Sequence, residues 1–245
     1  MTNAFESLAL SQGVDIQCNC SVTKVDNEGV HYKQSNGSIE LMPADMIVVN
    51  ADLPYAEATI LNDHLTSEHY DWNDKGDFSS GVVAFHWSLN KRLETLNAHN
   101  VFLAVDSPEQ SWSSVRDPLE DRLEIEPCNF YVHRPICCDP SAAPQGADVL
   151  MVLVPCQSLH RNAEFAKLDR GDAIEQYKLQ FSQAYISKMR ETVLKRLKAL
   201  PELVGLESHI VDEFIDTPGS FADLYNLAAG VPFGLVSLQA FCCMI

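Results

Sequence analysis

Two apolar patterns of different kinds lie close together in the middle of the chain. In residues 129–156, NFYVHRPICCDPSAAPQGADVLMVLVPC, Phe130 and Val132 alternate with Tyr131 and His133. Such alternation predicts a strand with two unlike faces. Residues 149–154, VLMVLV, are instead an unbroken apolar run. The run is too short for a capped helix and long enough for a strand buried on both faces. Pro135 ends the first strand. The connection 139–146 is turn chemistry, with Pro140 and Pro144 fixing φ and Gly146 freeing it. Asp139 can accept from nearby backbone N–H groups there.

The pattern changes either side of this centre. Val83, Phe85, Trp87 and Leu89 put bulk on one face of a strand, while Val82, Ala84, His86 and Ser88 put smaller or polar groups on the other. A sheet of that kind can pack helices on its bulky face and leave space on the second. Residues 172–200 carry apolar side chains at three- and four-residue spacing from Ile174 to Leu200. That predicts one long helix, with Asp172 and Glu175 as a capping box and Pro201 as its stop. Residues 100–105 and 209–216 read as strands, and 107–126 as a loop with one helical turn.

Nearer the start, residues 4–12 predict a helix end closed by Gly13, with 14–16 a strand. Short strands at 21–25, 29–33 and 38–41 are separated by turns at 27–29 and 35–37, which makes a small antiparallel meander. Residues 46–49 predict a buried strand, and 52–61 a short helix capped by Asp52. The resulting class is α+β.

Composition narrows the function. A net charge of −17 on 245 residues disfavours nucleic acid and strongly anionic membrane surfaces as partners. The basic cluster of Lys188, Arg190, Lys195, Arg196 and Lys198 suits the end of a helix and needs no ligand. The eight cysteines form no CxxC pair and read as free thiols, so no metal site is expected from them. His64, His69, Asp71 and Asp74 match no ligand spacing and read as a solvated linker. No run approaches the roughly 18 apolar residues of a membrane span.

Four stretches, in order, carry a resemblance. They are IVVNAD at 47–52, SSGVVAFHWSL at 79–89 with HNVFLA at 99–104, the FYV…DPSAAPQG…VPC centre, and YNLAAGVPFGL at 225–235. Together they resemble the bacterial and fungal phytoene desaturases, flavin-dependent carotenoid oxidoreductases. The resemblance implies part of an FAD-binding domain, with the meander, at 1–61. It further implies a linker at 62–77, a substrate domain with a mainly antiparallel sheet and covering helices at 78–216, and a return segment at 217–245. It implies FAD as cofactor, with Val22 meeting adenine through its backbone and Asn50 and Ala51 lying toward the dinucleotide. The substrate would be a carotenoid or polyene such as phytoene, taken up through peripheral contact with an intracellular membrane.

The family's GxGxxG turn, which holds the FAD pyrophosphate, does not occur in this sequence. The chain is therefore expected to be an internal fragment, inactive by itself. Desaturation loses a hydride and a proton. His133, beside Arg134 on the central strand, is the candidate proton acceptor or orienting group. The alternatives left open are a carotenoid isomerase of the same superfamily, a non-catalytic polyene- or lipid-binding remnant, and a decayed reading frame.

Overall fold

The computed structural model describes residues 2–61, 78–112, 115 and 128–235. The 64–74 histidine and aspartate group, Cys242 and Cys243 lie outside them. Tertiary contacts divide the chain into two compact units, Met1–Tyr70 and Asp71–Ile245.

In the first unit, helix α1 (Thr2–Ser11) is followed by an antiparallel sheet of β1 (Ser21–Asp26), β2 (Gly29–Lys33) and β3 (Ile39–Met42), in that order. Gly29, at φ +138°, has to be glycine, because a Cβ there would sit 2.2 Å from the Met42 carbonyl oxygen. Helix α2 (Leu53–Thr59) begins as its sequence predicts, with the Asp52 carboxylate accepting from Tyr55 N–H at 3.1 Å. Its C-terminal end closes on β1 through Val25 N–H to Ile60 C=O at 2.8 Å. The core of the unit is small, built of Val25, Ala56 and Ile60.

Two strand expectations fail here. Residues 14–16 and 46–49 form no strand, and Met46 and Val48 are 83% and 84% exposed. Among the described residues β3 pairs only with β2, so the 46–49 run has no ladder to join, and only Ile47 of its side chains packs against the small core of the unit.

The second unit is a five-stranded antiparallel sheet in the order β5-β6-β7-β4-β8. Its strands are β4 (Gly81–Leu89), β5 (His99–Phe102), β6 (Phe130–His133), β7 (Asp148–Cys156) and β8 (Ile210–Asp216). Strands β4 and β7 pair along their full nine residues, from Gly81 opposite Cys156 to Leu89 opposite Asp148. That register puts Val83, Phe85 and Trp87 on one face with Val154, Val152 and Leu150. Against this face pack the buried side chains of α4 (Arg170–Gln180) and α5 (Gln183–Leu197), among them Tyr177, Met189, Val193 and Leu197. One helical turn, α3 (Pro108–Ser111), follows β5.

The expected single helix at 172–200 is two helices. Ser182 breaks the apolar stripe because its hydroxyl accepts from Tyr185 N–H at 3.2 Å, starting a new helix. Phe181, at the break, is buried between Tyr177 and Tyr185 with edge-on ring contacts at 5.1 and 5.9 Å. The N-cap of α4 is Asp169, bonded to Asp172 N–H, rather than Asp172. Strand β7 also differs from its reading: Leu150, Val152, Val154 and Cys156 are buried, whereas Val149, Met151, Leu153 and Pro155 are half-buried. Among the described residues the helices cover only one side of the sheet, so the apolar run serves one closed and one open face.

Helix α6 (Pro218–Tyr225) follows β8, with a reciprocal Thr217–Ser220 capping box. The turn after it is held by the Arg170 guanidinium, which donates to the carbonyls of Ala222, Leu227 and Ala228. Gly230, at φ +64°, passes so close that a Cβ would lie 2.3 Å from the Pro218 oxygen. Residues up to 235 are then tied back to the start of the unit by Ser79 N–H to Gly234 C=O and by the Phe78–Leu235 bridge.

Candidate functional site

The open face of the five-stranded sheet is where the sequence expected space, and its make-up follows from the registers. Across it run Val101 on β5, Tyr131 and His133 on β6, Val149, Met151 and Leu153 on β7, Ala84 and His86 on β4, and Phe214 on β8. Most of these side chains are apolar or aromatic, with Val101 67% and Phe214 59% exposed, while Ala84 is buried and Ser88, Asp212 and Asp216 share the face. Its exposed part, from β5 to β7 and at Phe214, suits an apolar chain laid across the strands.

Three rings gather at its β5–β6 end. His99 lies directly opposite His133, and their rings stack at 5.1 Å with 18° between planes. The Tyr131 ring lies 6.5 Å from His133, and the Tyr131 hydroxyl is hydrogen-bonded to His99 Nδ1. His133 Nδ1 is 2.8 Å from the Ala98 carbonyl oxygen. His133 thus stands in a cluster, and the sequence reading missed His99 and Tyr131. His99 opens a short strand far from His133 in sequence, and only the strand register brings them together.

Arg134 does not join this cluster. It points to the opposite side, is buried, and pairs with the buried carboxylate of Asp148 at 2.9 Å. It also donates to the carbonyls of Leu93 and Leu96, while Leu93 N–H donates to Asp148 at 2.9 Å. Arg134 therefore anchors the segment after β4 and does not accompany His133 on the open face. Near the other end of the open face, His86 Nε2 lies 3.3 Å from Asp216, whose second oxygen accepts from Ser220 Oγ at 3.1 Å. That pair joins β4 to the start of α6.

The 139–146 loop has the structural role its composition suggested. Asp139 accepts from both the hydroxyl and the backbone N–H of Ser141, at 2.6 and 2.9 Å, and these bonds hold its carboxyl below the usual range. The loop is exposed, and Asp139 caps the turn Pro140–Ala142.

The residues expected at a cofactor lie in the first unit. Val22 is on the edge strand β1, next to an irregularity in the pairing between Val22 and Lys24. Asn50 and Ala51 are exposed immediately before the Asp52 cap of α2. The diphosphate end is not matched. The N-termini of α2 and α4 are closed by carboxylates, Asp52 and Asp169, which satisfy a backbone N–H there and repel an anion. These two helix N-termini therefore do not fit the phosphate part of FAD.

Several other charged groups are locally paired. Arg190 binds Glu207 and Glu213, Lys198 binds Glu207, and Arg196 donates to the carbonyls of Cys128 and Leu103. At the β1–β2 turn, ligand-type atoms of Asp26, Glu28 and His31 lie within 4.8 Å of one another. Lys24 reaches Asp26 at 2.6 Å and, with the Glu28 N–H, holds its carboxyl down at about 2. This is an ion-paired hairpin end. Burial pushes the Cys156 thiol well up, which makes it an inert core residue.

No protein-family model matches the chain. Phytoene desaturase of Fusarium fujikuroi is 34% identical over 197 residues, which cover 79% of this chain and 33% of that protein. Phytoene desaturase of Neurospora crassa is 29% identical over 244 residues, 95% of this chain and 38% of that protein. The zeta-carotene-forming phytoene desaturase of Myxococcus xanthus is 30% identical over 235 residues, 95% of this chain and 40% of that protein. The chain thus spans between about a third and two-fifths of the length of these relatives. Similarity that runs through both units, to fungal and bacterial proteins alike, places this chain in the phytoene desaturase family.

Proposed function

We propose that this chain is the part of an FAD-dependent carotenoid desaturase that carries the substrate face, with phytoene as the substrate. The observation that carries the reading is the open face of the five-stranded sheet. Its opposite side is sealed by α4 and α5, while Val101, Met151, Leu153 and Phe214 line a surface without a fixed cationic group. A hydrocarbon binds by loss of water-exposed apolar area, at ~25 cal/mol per Å², and this face supplies that area. The names of the relatives supply the substrate class.

In this reading FAD is held chiefly by residues other than the described ones. Val22 offers backbone to the adenine, and Asn50 and Ala51 lie toward the dinucleotide. The substrate arrives through peripheral contact with an intracellular membrane. No helix among the described residues is long and apolar enough to cross one. The β5 edge offers the contact, where Val101, Leu103 and Val105 are 67%, 53% and 73% exposed.

The test is to express the complete protein bearing this stretch in cells that accumulate phytoene. Conversion to carotenoids with a longer conjugated system supports the reading. Unchanged phytoene, with the protein soluble and carrying flavin, contradicts it.

A further inference from the structure

We propose that His133 is the proton acceptor of the open face, and that His99 and Tyr131 are the residues that position it. The proposal rests on the desaturase reading. Making a C=C bond in a CH–CH unit removes two hydrogens. One leaves with its electron pair to a two-electron acceptor of the flavin or quinone class. The other leaves as a proton, and the electron pair of its C–H bond closes the new π bond. A hydrocarbon carries no group that can take that proton, so it passes to a base or to water.

The geometry singles out His133 on three grounds. First, its tautomer is fixed. Nδ1 faces the Ala98 carbonyl at 2.8 Å, and a carbonyl can only accept. Nδ1 therefore carries the hydrogen, and Nε2 keeps its lone pair. Second, the ring is held in place. The His99 ring stacks on it at 5.1 Å with 18° between planes. The Tyr131 hydroxyl fixes the His99 ring in turn through Nδ1. Third, the setting is apolar. Met151 is directly opposite His133 on β7, and Val101 and Leu153 flank Tyr131 on either side. A polyene crossing the strands here brings its carbons to the imidazole.

The other histidine on the face, His86, is differently placed. Its Nε2 faces the carboxylate of Asp216, which α6 holds through Ser220, so it clasps strand to helix.

The experiment uses the complete, flavin-loaded protein with phytoene, and the 245-residue chain for spectroscopy. His133→Gln is expected to lower kcat by ~100-fold or more, with KM changed by no more than about twofold. His133→Ala should recover part of the lost rate when imidazole is added, which a merely structural role does not allow. Tyr131→Phe should lower kcat by less, without imidazole rescue. In ¹⁵N-histidine NMR of the chain at neutral pH, His133 should show a protonated Nδ1 and a bare Nε2. The proposal is overturned if His133→Gln keeps its turnover, if imidazole restores nothing to His133→Ala, or if NMR finds the Nε2–H tautomer. A flavin-loaded wild-type protein that leaves phytoene unchanged overturns the desaturase reading itself, and this assignment with it. The NMR result on the chain tests the tautomer independently of that outcome.

Discussion

The two units put similar apolar patterns to different ends. In the second, alternation on β4 meets alternation on β7 in a nine-residue register, and two helices close the shared face into a core that includes Phe85, Trp87, Tyr177 and Met189. In the first, the pattern is present and largely unused: Phe5 and Leu8 on α1 are 68% and 57% exposed, and α1 buries none of its residues. Ile39 on β3 is 66% exposed. The difference teaches that periodicity states only what a segment could bury. A helix of ten residues with no buried face has little stability of its own, because short isolated helices are marginal in water. The first unit is held by its hairpin bonds, the Asp52 cap and the contact of Val25 with Ala56 and Ile60.

That contrast can be broken by substitution. The largest effect is expected for Phe85→Ala, which empties a fully buried site between β4 and the helices and should cost ~3–5 kcal/mol. Thermal melting of the chain measures it. A loss under 1 kcal/mol would mean that this core is looser than its packing implies. Val25→Ala in the first unit removes about two methylenes and should cost no more than ~1–2 kcal/mol. A cost equal to that of Phe85→Ala would erase the distinction between the units.

Next in size is Ser182→Ala. It removes the hydroxyl that starts α5 and should cost ~1 kcal/mol. If the break were only a consequence of packing, the substitution would be neutral. Asp139→Asn should have the smallest effect. It keeps an acceptor for Ser141 N–H, so the complete enzyme should retain most of its desaturation rate. A loss of ~100-fold in a soluble, flavin-replete protein would move Asp139 from the turn to the chemistry. Liposome flotation of the complete protein probes the charge pattern. With Arg190, Arg196 and Lys198 already paired, binding should depend little on anionic lipid, and a steep dependence would assign docking to those residues.

Much of the second unit was legible because its signals are local. The two faces of β4, the Asp139 turn and the stop at Pro135 need only neighbouring residues to be read. Where the sequence misled, the deciding partner was distant or absent. Residues 46–49 look like a buried strand until one asks what they would pair with. The run at 149–154 looks buried on both sides until the helices are seen to lie on one. Ser182 was hidden in an otherwise regular stripe, although serine is a favoured N-cap residue and was a usable signal. His133 was singled out from its place on the central strand. Its companions were not, because the pairing of His99 with His133 spans the long segment between β5 and β6 and exists only in the register.

The central claim is that the face away from the helices is where substrate lies. Leu153→Asp tests it most directly, since Leu153 is half-buried in the middle of that face and has Val152 and Val154, on the sealed side, as its chain neighbours. Phytoene binding and melting temperature of the complete protein should be measured together. The account predicts a folded protein, melting close to wild type, that has lost most of its affinity for phytoene. A folded Leu153→Asp protein that binds phytoene as well as wild type would contradict it.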